Sequence, residues 1–172
     1  GENELSAIKV LQAIADAQRE YATADRNRNG VLEYATRIDS SPGKKDGLYW
    51  RVKDGEAQSP LGPLLARASA EGYTKDKQAP TPYHGYYFRL LKGQGGTAKS
   101  GALDYTIRGR TIGGFAAVAY PANYGNTGIM SFLINQDGTV YEKDLGPDTL
   151  VAGRKMQRFE PGPGWSPVPA RR

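Results

Sequence analysis

The segment from Asp25 to Glu33 has the residue types and the spacing of a calcium-binding loop. Carboxylate and amide oxygens occur at alternate positions, and Val31 can offer its backbone carbonyl. Calcium takes about six to eight oxygen ligands, and a D-x-N-x-N-G spacing turns alternate side chains toward one point. The pattern therefore predicts a weak structural calcium site with the ligands Asp25, Asn27, Asn29, Val31 and Glu33.

A turn without a metal explains the same residues, and the sequence narrowly favours this alternative. The last loop position, where an EF-hand has a bidentate glutamate, is occupied by Thr36, and Arg26 and Arg28 oppose a cation. Asparagine and glycine also tolerate left-handed turn conformations. Leu32 is expected to anchor the loop to the core. Calcium is the one cofactor that the sequence suggests, and both interpretations stay open.

The other groups that could catalyse a reaction do not form a familiar arrangement. His84 is the only histidine, and zinc sites without cysteine use two or three histidines. Glu142 and Asp144 alternate on one face of a predicted edge strand, where Asp104 or Asp137 could approach them. A carboxylate pair is the minimum for glycosidase chemistry, but acidic residues on an edge strand usually form only its solvated face. An enzyme is therefore the less favoured interpretation, and no catalytic residue is assigned.

Aromatic side chains offer a second candidate site, a ligand-binding surface. Tyrosine and tryptophan suit a carbohydrate or peptide groove because each joins an apolar ring to a hydrogen-bonding group. We expect Trp50, Tyr83, His84 and Tyr124 on such a surface, with Trp50 and Tyr124 at exposed loop tips. The alternative, which the strand pattern favours, is that most of the aromatic rings fill the core of a small sheet.

Composition limits the classes of protein to which the chain can belong. Its 172 residues suffice for one domain with a core, and they include no cysteine, which excludes disulfides and thiolate chemistry. No apolar run approaches the ~20 residues of a membrane span. The mean hydropathy is −0.60, and 38% of the residues are hydrophobic. These values describe a polar but folded protein.

The chain is basic, with 23 lysines and arginines against 18 aspartates and glutamates, a net charge of +5. The basic residues are dispersed along the sequence, which argues against a nucleic-acid-binding arm. A separate hypothesis places five of them on one polyanion-binding face. These five are Arg108, Arg110, Arg154, Lys155 and Arg158.

The first half of the chain is predicted to be one long helix followed by irregular structure. Residues 1–24 form the helix, because apolar residues recur in steps of three and four, and Asn3 is its predicted N-cap. Residues 25–82 form a loop-rich insertion. Within it, Ser59 and Pro60 have the residue types that begin a short helix.

The second half is predicted to be a sheet followed by a short helix. Residues 83–145 form an antiparallel meander, in which residues 128–135 are a central strand and residues 135–138 a hairpin turn. Residues 146–172 form a short helix and a proline-rich tail that is too interrupted for a regular element. The prediction is thus one α+β domain over residues 1–172, with the helix packed on the sheet.

These segments resemble a known family. The stretches NELSAIKVLQAIADAQREYATADRNRNGVLEYA, PYHGYYFRLL and IGGFAAVAYPANYGNTGIMSFLINQDGTVYEKDLGPDT are similar to the exported bacterial proteins grouped as domain of unknown function 2950 (DUF2950). The resemblance covers nearly the whole chain, and it implies export to the periplasm or secretion. The start at Gly1 without a methionine fits a removed signal peptide, and the alternative is that Gly1 is the remnant of a tag. It implies no established activity.

A more distant resemblance is to the globular part of type IV pilins and pseudopilins. In those proteins an NE-x-x-AI helix packs on a sheet that contains a GF motif and a later SF motif. Here the corresponding residues include Asn3, Glu4, Phe115 and Phe132. The hydrophobic half-helix that holds pilin subunits in a fibre is missing from this sequence. The resemblance therefore implies a pilin-like periplasmic module rather than a pilus subunit.

Together these observations favour a non-catalytic interaction or structural module in the bacterial cell envelope. Its expected partner is another protein or an envelope polymer, and not nucleic acid. The alternatives from other classes are a carboxylate-dependent hydrolase and a carbohydrate-binding protein that uses the aromatic surface.

Overall fold

The computed structural model describes residues 1–71 and 79–169. Part of the predicted insertion, residues 72–78, and the end of the predicted tail, residues 170–172, lie outside the described residues. The helices are α1 (Glu2–Tyr21), α2 (Pro63–Arg67) and α3 (Thr149–Lys155), and a 3-10 turn (Gly146–Asp148) precedes α3. The strands are β1 (Arg37–Asp39), β2 (Gly47–Tyr49), β3 (Tyr86–Leu90), β4 (Gly93–Gln94), β5 (Leu103–Asp104), β6 (Thr106–Ile107), β7 (Arg110–Thr111), β8 (Ala116–Pro121), β9 (Met130–Asn135), β10 (Tyr141–Asp144), β11 (Arg158–Phe159) and β12 (Ser166–Pro167).

The central feature is an antiparallel sheet of five strands in the order β12-β10-β9-β8-β3. The predicted central strand is confirmed as β9, which lies between β8 and β10 and is buried from Ser131 to Asn135. The predicted hairpin turn is confirmed as well. Gly138 has φ 84° there, in the left-handed region that favours glycine. Smaller sheets pair β1 with β2, β6 with β7, and β11 with β4 and β5.

Helix α1 covers one face of this sheet, as the helical pattern predicts. Its buried residues Leu11 and Ile14 belong to the same core cluster as Phe88 and Phe132 of the sheet. Each fully buried side chain of this size contributes about 1.5–3 kcal/mol. The predicted N-cap is wrong, because the helix already includes Glu2 and Asn3. The Asn3 amide instead donates a hydrogen bond to the backbone oxygen of Thr127 (3.0 Å), which ties α1 to the loop after β8.

The opposite face of the sheet is covered by α3 and the small β11-β4-β5 sheet. Tyr120 and Leu133 of the sheet form a second core cluster there with Phe159. Helix α3 lies very close to the sheet at Gly153, where a Cβ atom would come within 2.5 Å of the Tyr120 ring. The fold is therefore α+β, with a long helix on one face and a short C-terminal helix on the other.

Two boundary predictions are wrong. The short helix begins at Pro63, with Gly62 as its N-cap, because the Ser59 hydroxyl is used in a bond to the backbone oxygen of Leu61. The proline-rich tail does contain a regular element, since β12 pairs with β10. Proline is tolerated on an edge strand, where its missing N–H can face away from the neighbouring strand. Consequently β10, which carries Glu142 and Asp144, is not an edge strand.

Candidate functional sites

The loop after α1, residues 25–33, is held together by its own hydrogen bonds. The Asp25 carboxylate accepts bonds from the backbone N–H groups of Asn29 (3.1 Å) and Gly30 (2.7 Å). The side-chain amides of Asn27 and Asn29 donate to the same oxygen of Glu33, at 2.8 and 3.0 Å. The side chains of four of the five proposed calcium ligands are thus close together. The two amides, however, turn nitrogen rather than oxygen toward Glu33.

Glu33 connects this loop to strand β7. Its other oxygen accepts a bond from the backbone N–H of Thr111 (2.9 Å), and its side chain is buried. Burial acts to raise the pKa of Glu33, but the bonds from Asn27, Asn29 and Thr111 and the charge of Arg110 outweigh it and lower the pKa. Leu32 does not anchor the loop, because it is 56% exposed. Calcium binding by this loop stays a prediction.

The four residues of the predicted ligand surface lie in two different places. His84 and Tyr124 lie at the end of the sheet where β3 begins and β8 ends. There the backbone oxygen of Gly85, next to His84, accepts a hydrogen bond from the backbone N–H of Ala122, and Gly85 lies beside Thr127. Tyr83 contacts the His84 ring, with the ring centroids 4.4 Å apart. This is the end at which α1 begins, since Asn3 binds Thr127.

Trp50 lies at the other end of α1. Its ring contacts Tyr21, the last residue of the helix, with the centroids 6.3 Å apart. A helix of this length spans about 30 Å, so Trp50 and Tyr124 do not border one groove. Trp50 is also only 8% exposed, which corrects the expectation of an exposed loop tip. The nearby guanidinium of Arg26 (5.1 Å) and ammonium of Lys45 (5.4 Å) lie over its ring and shield it.

Trp50 lines the largest of the cavities described, of about 720 Å³, which we call the Trp50 cavity. It lies between the loop that joins β1 to β2 and the helix α2. Four cations and one carboxylate are among its lining residues, so its charge is positive. The lining residues that can hydrogen-bond through polar side chains are Asp39, Ser40, Ser41, Lys44, Lys45, Tyr49, Trp50, Arg51 and Arg67.

Several hydrogen-bond donors of the Trp50 cavity have no partner in the described part of the chain. The indole Nε1–H of Trp50 is buried and has no hydrogen-bond acceptor there. The side chains of Lys44, Arg51 and Arg67 are exposed and make no hydrogen bond or ion pair to a described residue. A buried unsatisfied donor is costly, and a ligand with several acceptor oxygens would satisfy it. The cavity therefore suits an anionic, oxygen-rich ligand.

The loop that borders this cavity is fixed by Asp46. Its carboxylate accepts bonds from the backbone N–H (2.8 Å) and the hydroxyl (2.7 Å) of Ser41. Gly47 lets the two ends of the loop come together, because a Cβ there would lie 2.7 Å from the backbone nitrogen of Ser40. The bonds of Asp46 and the close contact at Gly47 thus fix the backbone of the loop that contains Lys44 and Lys45.

Two of the four carboxylates considered for hydrolysis, Asp144 and Asp104, bind other groups. Asp144 accepts a bond from the Tyr124 hydroxyl (2.6 Å) and one from the backbone N–H of Gly146 (2.8 Å). Asp104 forms an ion pair with Arg158 (2.6 Å) at the border of another cavity, of about 580 Å³. Among the described residues there is no group of three or more histidine and acidic side chains that could hold a metal.

The five basic residues of the polyanion hypothesis are partly neutralised. Arg158 forms an ion pair with Asp104, and the positive charge of Arg110 lowers the pKa of Glu33. Arg154 and Lys155 lie exposed on α3. Four other cations, Lys44, Lys45, Arg51 and Arg67, line the Trp50 cavity, which sequence reasoning did not identify as a basic site. Its signal in the sequence was the pair Lys44-Lys45 shortly before Tyr49-Trp50.

Comparison with known proteins gives one match. A family model described as a protein of unknown function (DUF2950) matches residues 1–168. No curated protein and no solved structure matches the chain, so the resemblance to pilins is not confirmed. Within the described residues, none of the helices has the length and apolar character that crossing a bilayer requires.

Proposed function

The chain belongs to the DUF2950 family, and from this starting point we propose that it is a binding module that holds an acidic polymer of the cell envelope in the Trp50 cavity. The ligand class is a polysaccharide that carries carboxylate groups. The observation that carries the proposal is the group of four cations that line the cavity together with Trp50, whose buried indole N–H has no partner among the described residues. The proposal is of a non-catalytic role.

Each part of such a ligand has a complementary group in the cavity. Carboxylates suit the exposed ends of Lys44, Arg51 and Arg67, because charge-assisted hydrogen bonds are the stronger ones. A sugar hydroxyl or ring oxygen suits the Trp50 N–H, and the half-buried ring of Tyr49 can pack against the apolar face of a sugar. Among the described lining residues Asp39 is the one carboxylate, which supports binding rather than hydrolysis by a carboxylate pair.

The cellular place of the protein belongs to the same proposal. We expect the natural protein to be exported to the periplasm or secreted, because the envelope is where its ligand would be. Fractionation of cells that express the natural gene would test this. Recovery of the protein only with the cytosol would contradict it.

The binding proposal is tested with polygalacturonate as an acidic polymer and dextran as a neutral one. We expect affinity electrophoresis to show retardation by polygalacturonate and none by dextran. Retardation should weaken between low and high salt, because salt screens exposed charges. The double variant Lys44→Gln, Arg51→Gln should lose at least about tenfold in affinity, since each charge-assisted bond contributes about 1.5–3 kcal/mol.

A charge-matched control separates a site from a merely basic surface. Lys9→Gln with Lys155→Gln removes the same charge from exposed positions on α1 and α3, outside the cavity. We expect it to bind within twofold of the wild type. Equal losses in the two double variants, or equal retardation by dextran, would contradict the proposal.

A further inference from the structure

A separate cavity of about 370 Å³ lies on the face of the sheet away from α1. It is lined from β3, β8 and α3, and it shares no lining residue with the Trp50 cavity. We call it the Arg89 cavity. The described residues that line it are Ala70, Ala79, Pro80, Tyr87, Arg89, Tyr120 and Arg154.

Arg89 brings a buried positive charge to this cavity. The side chain is 9% exposed, and its Nη1 donates to the backbone oxygens of Gly153 (2.6 Å) and Met156 (2.8 Å) at the end of α3. Its Nε and Nη2 groups make no hydrogen bond to a described residue. Glu71 is near enough for its charge to interact with Arg89, but no described carboxylate forms an ion pair with Arg89. Buried charges are normally paired, so Arg89 has capacity for an anion.

Tyr120 adds a second unpartnered group to the same cavity. Its side chain is fully buried, and its hydroxyl has no hydrogen-bond partner among the described residues. The ring is fixed by Gly153, which packs directly on it, and by Tyr87, whose ring centroid is 5.9 Å away. A buried hydroxyl without a partner is uncommon in a folded protein. Tyr120 lines this cavity together with two arginines, Arg89 and Arg154.

The remaining lining residues define the rest of the ligand. Arg154 is exposed and brings its charge from α3, whereas Ala79, Pro80 and the half-buried ring of Tyr87 are mostly apolar. The volume falls at the lower end of the range of ~300–1,000 Å³ that is usual for small-molecule sites. A ligand with one charged end and a small apolar body matches this combination.

We propose that the Arg89 cavity binds a small organic carboxylate. Its carboxylate lies between Arg89 and Arg154 and accepts the hydrogen bond of the Tyr120 hydroxyl. Its apolar body packs against Tyr87 and Pro80. The charges of Arg89 and Arg154 both interact with Tyr120, so the three side chains are close to one another, and the carboxylate would give Arg89 and Tyr120 the partner that they lack.

The probe for this proposal is benzoate, with benzamide as its uncharged match and phenyl phosphate as its phosphate match. Isothermal titration of the whole chain should show benzoate binding in the micromolar to low-millimolar range. Benzamide should bind at least about tenfold more weakly, because it lacks the charge that charge-assisted bonds require. Tighter binding of phenyl phosphate than of benzoate would overturn the assignment to a carboxylate. No benzoate binding below about 10 mM would overturn the site itself.

Two variants locate the bound probe. Arg154→Gln and Tyr120→Phe should each weaken benzoate binding by about five- to tenfold, since each removes one donor to the carboxylate. Tyr120→Phe removes a hydroxyl that has no partner, so its melting temperature without ligand should not fall. Unchanged benzoate affinity in both variants would overturn the proposal.

Matched controls exclude a general effect of charge or of a lost hydroxyl. Lys155→Gln removes a charge from the neighbouring position of α3, which does not line the cavity. Tyr105→Phe removes a hydroxyl that does have a partner, the side-chain oxygen of Gln94 at 3.0 Å. We expect Tyr105→Phe to lower the melting temperature and both controls to keep benzoate affinity within twofold. A loss of affinity in both controls as large as in the two site variants would overturn the assignment.

Discussion

At the scale of single residues, Asp25 shows how one side chain stabilises a loop that could also bind a metal. Its two carboxylate oxygens each accept a backbone N–H, from Asn29 and from Gly30. Asp25→Ala removes both acceptors at an exposed site, and we expect the free energy of unfolding to fall by about 1 kcal/mol. Urea unfolding in chelator-containing buffer measures this change. Asp54→Ala, which removes an exposed carboxylate without such bonds, should change stability by less than about 0.5 kcal/mol.

The same variant tests the calcium prediction. Calcium needs oxygen ligands, so the amides of Asn27 and Asn29 would have to turn their oxygens inward and give up their bonds to Glu33. If the spacing does encode a site, added calcium should raise the melting temperature of the wild type and not of Asp25→Ala. Equal melting curves with and without calcium would leave the metal-free turn as the explanation.

The residues that sequence reasoning missed share one physical property. Arg89, Gln94 and Glu71 are polar residues whose partners lie far away in the chain. The Gln94 side-chain oxygen, for example, accepts bonds from Tyr105, Asn135 and Gln136. No local pattern distinguishes such a residue from an exposed one. For the same reason the sequence predicts an exposed Trp50, although Tyr21 and Arg26, both distant in the chain, cover it.

At the scale of elements, the closeness of α3 to the sheet depends on Gly153. Alanine at this position gains about 1 kcal/mol in helix propensity, but its Cβ would lie 2.5 Å from the Tyr120 ring. Overpacking of this kind costs about 1–3 kcal/mol, so we expect Gly153→Ala to destabilise the protein by up to about 2 kcal/mol overall. Thermal unfolding measures this, with the half-exposed Val151→Ala of the same helix as the control. A stabilised Gly153→Ala protein would show that α3 can shift away from the sheet.

Elements whose signal is local were predictable from the sequence, and elements that depend on distant pairing were not. The apolar steps of α1, the continuous apolar run of β9 and the turn at Gly138 each lie within one short segment. Strand β12 forms by pairing with the edge of β10 that β9 leaves unpaired. No residue pattern within the tail indicates this pairing. The DUF2950 family could be recognised from the sequence because the similarity extends over long segments, but the family has no known ligand.

At the scale of the whole molecule, two hydrogen-bonded carboxyl groups, Glu33 and Glu71, act on stability in opposite pH ranges. Hydrogen bonds and Arg110 lower the pKa of Glu33 despite burial, so its contribution is present above the unfolded pKa and is lost as the pH falls through the folded pKa. Burial raises the pKa of Glu71 from 4.5 to about 7, against bonds from the backbone of Ile38 and Leu90. The folded state therefore holds a proton on Glu71 that the unfolded state releases.

The sign for Glu71 follows from this proton difference. Between about pH 4.5 and pH 7 the folded state binds more protons, so stability falls as the pH rises, by at most about 1.4 kcal/mol per pH unit for one proton. Below about pH 4.5 stability falls for a different reason. Carboxylates whose pKa is lowered in the folded state, such as Glu33 and Asp46, become protonated there and lose their stabilising interactions. We expect the free energy of unfolding to have its maximum near pH 5, measured by urea unfolding from pH 3 to pH 8.

Glu71→Gln identifies the group responsible for the decline above pH 5. The backbone N–H of Ile38 donates a hydrogen bond to one oxygen of the Glu71 carboxyl, and the backbone N–H of Leu90 donates to the other. Glutamine has only one acceptor oxygen, so near pH 5, where Glu71 is protonated, the variant should be less stable than the wild type. Because glutamine does not titrate, its stability should nevertheless be flat between pH 5 and pH 7, whereas that of the wild type falls. A decline of the same slope in Glu71→Gln would assign the effect to another group and leave Glu71 ionised in the folded protein.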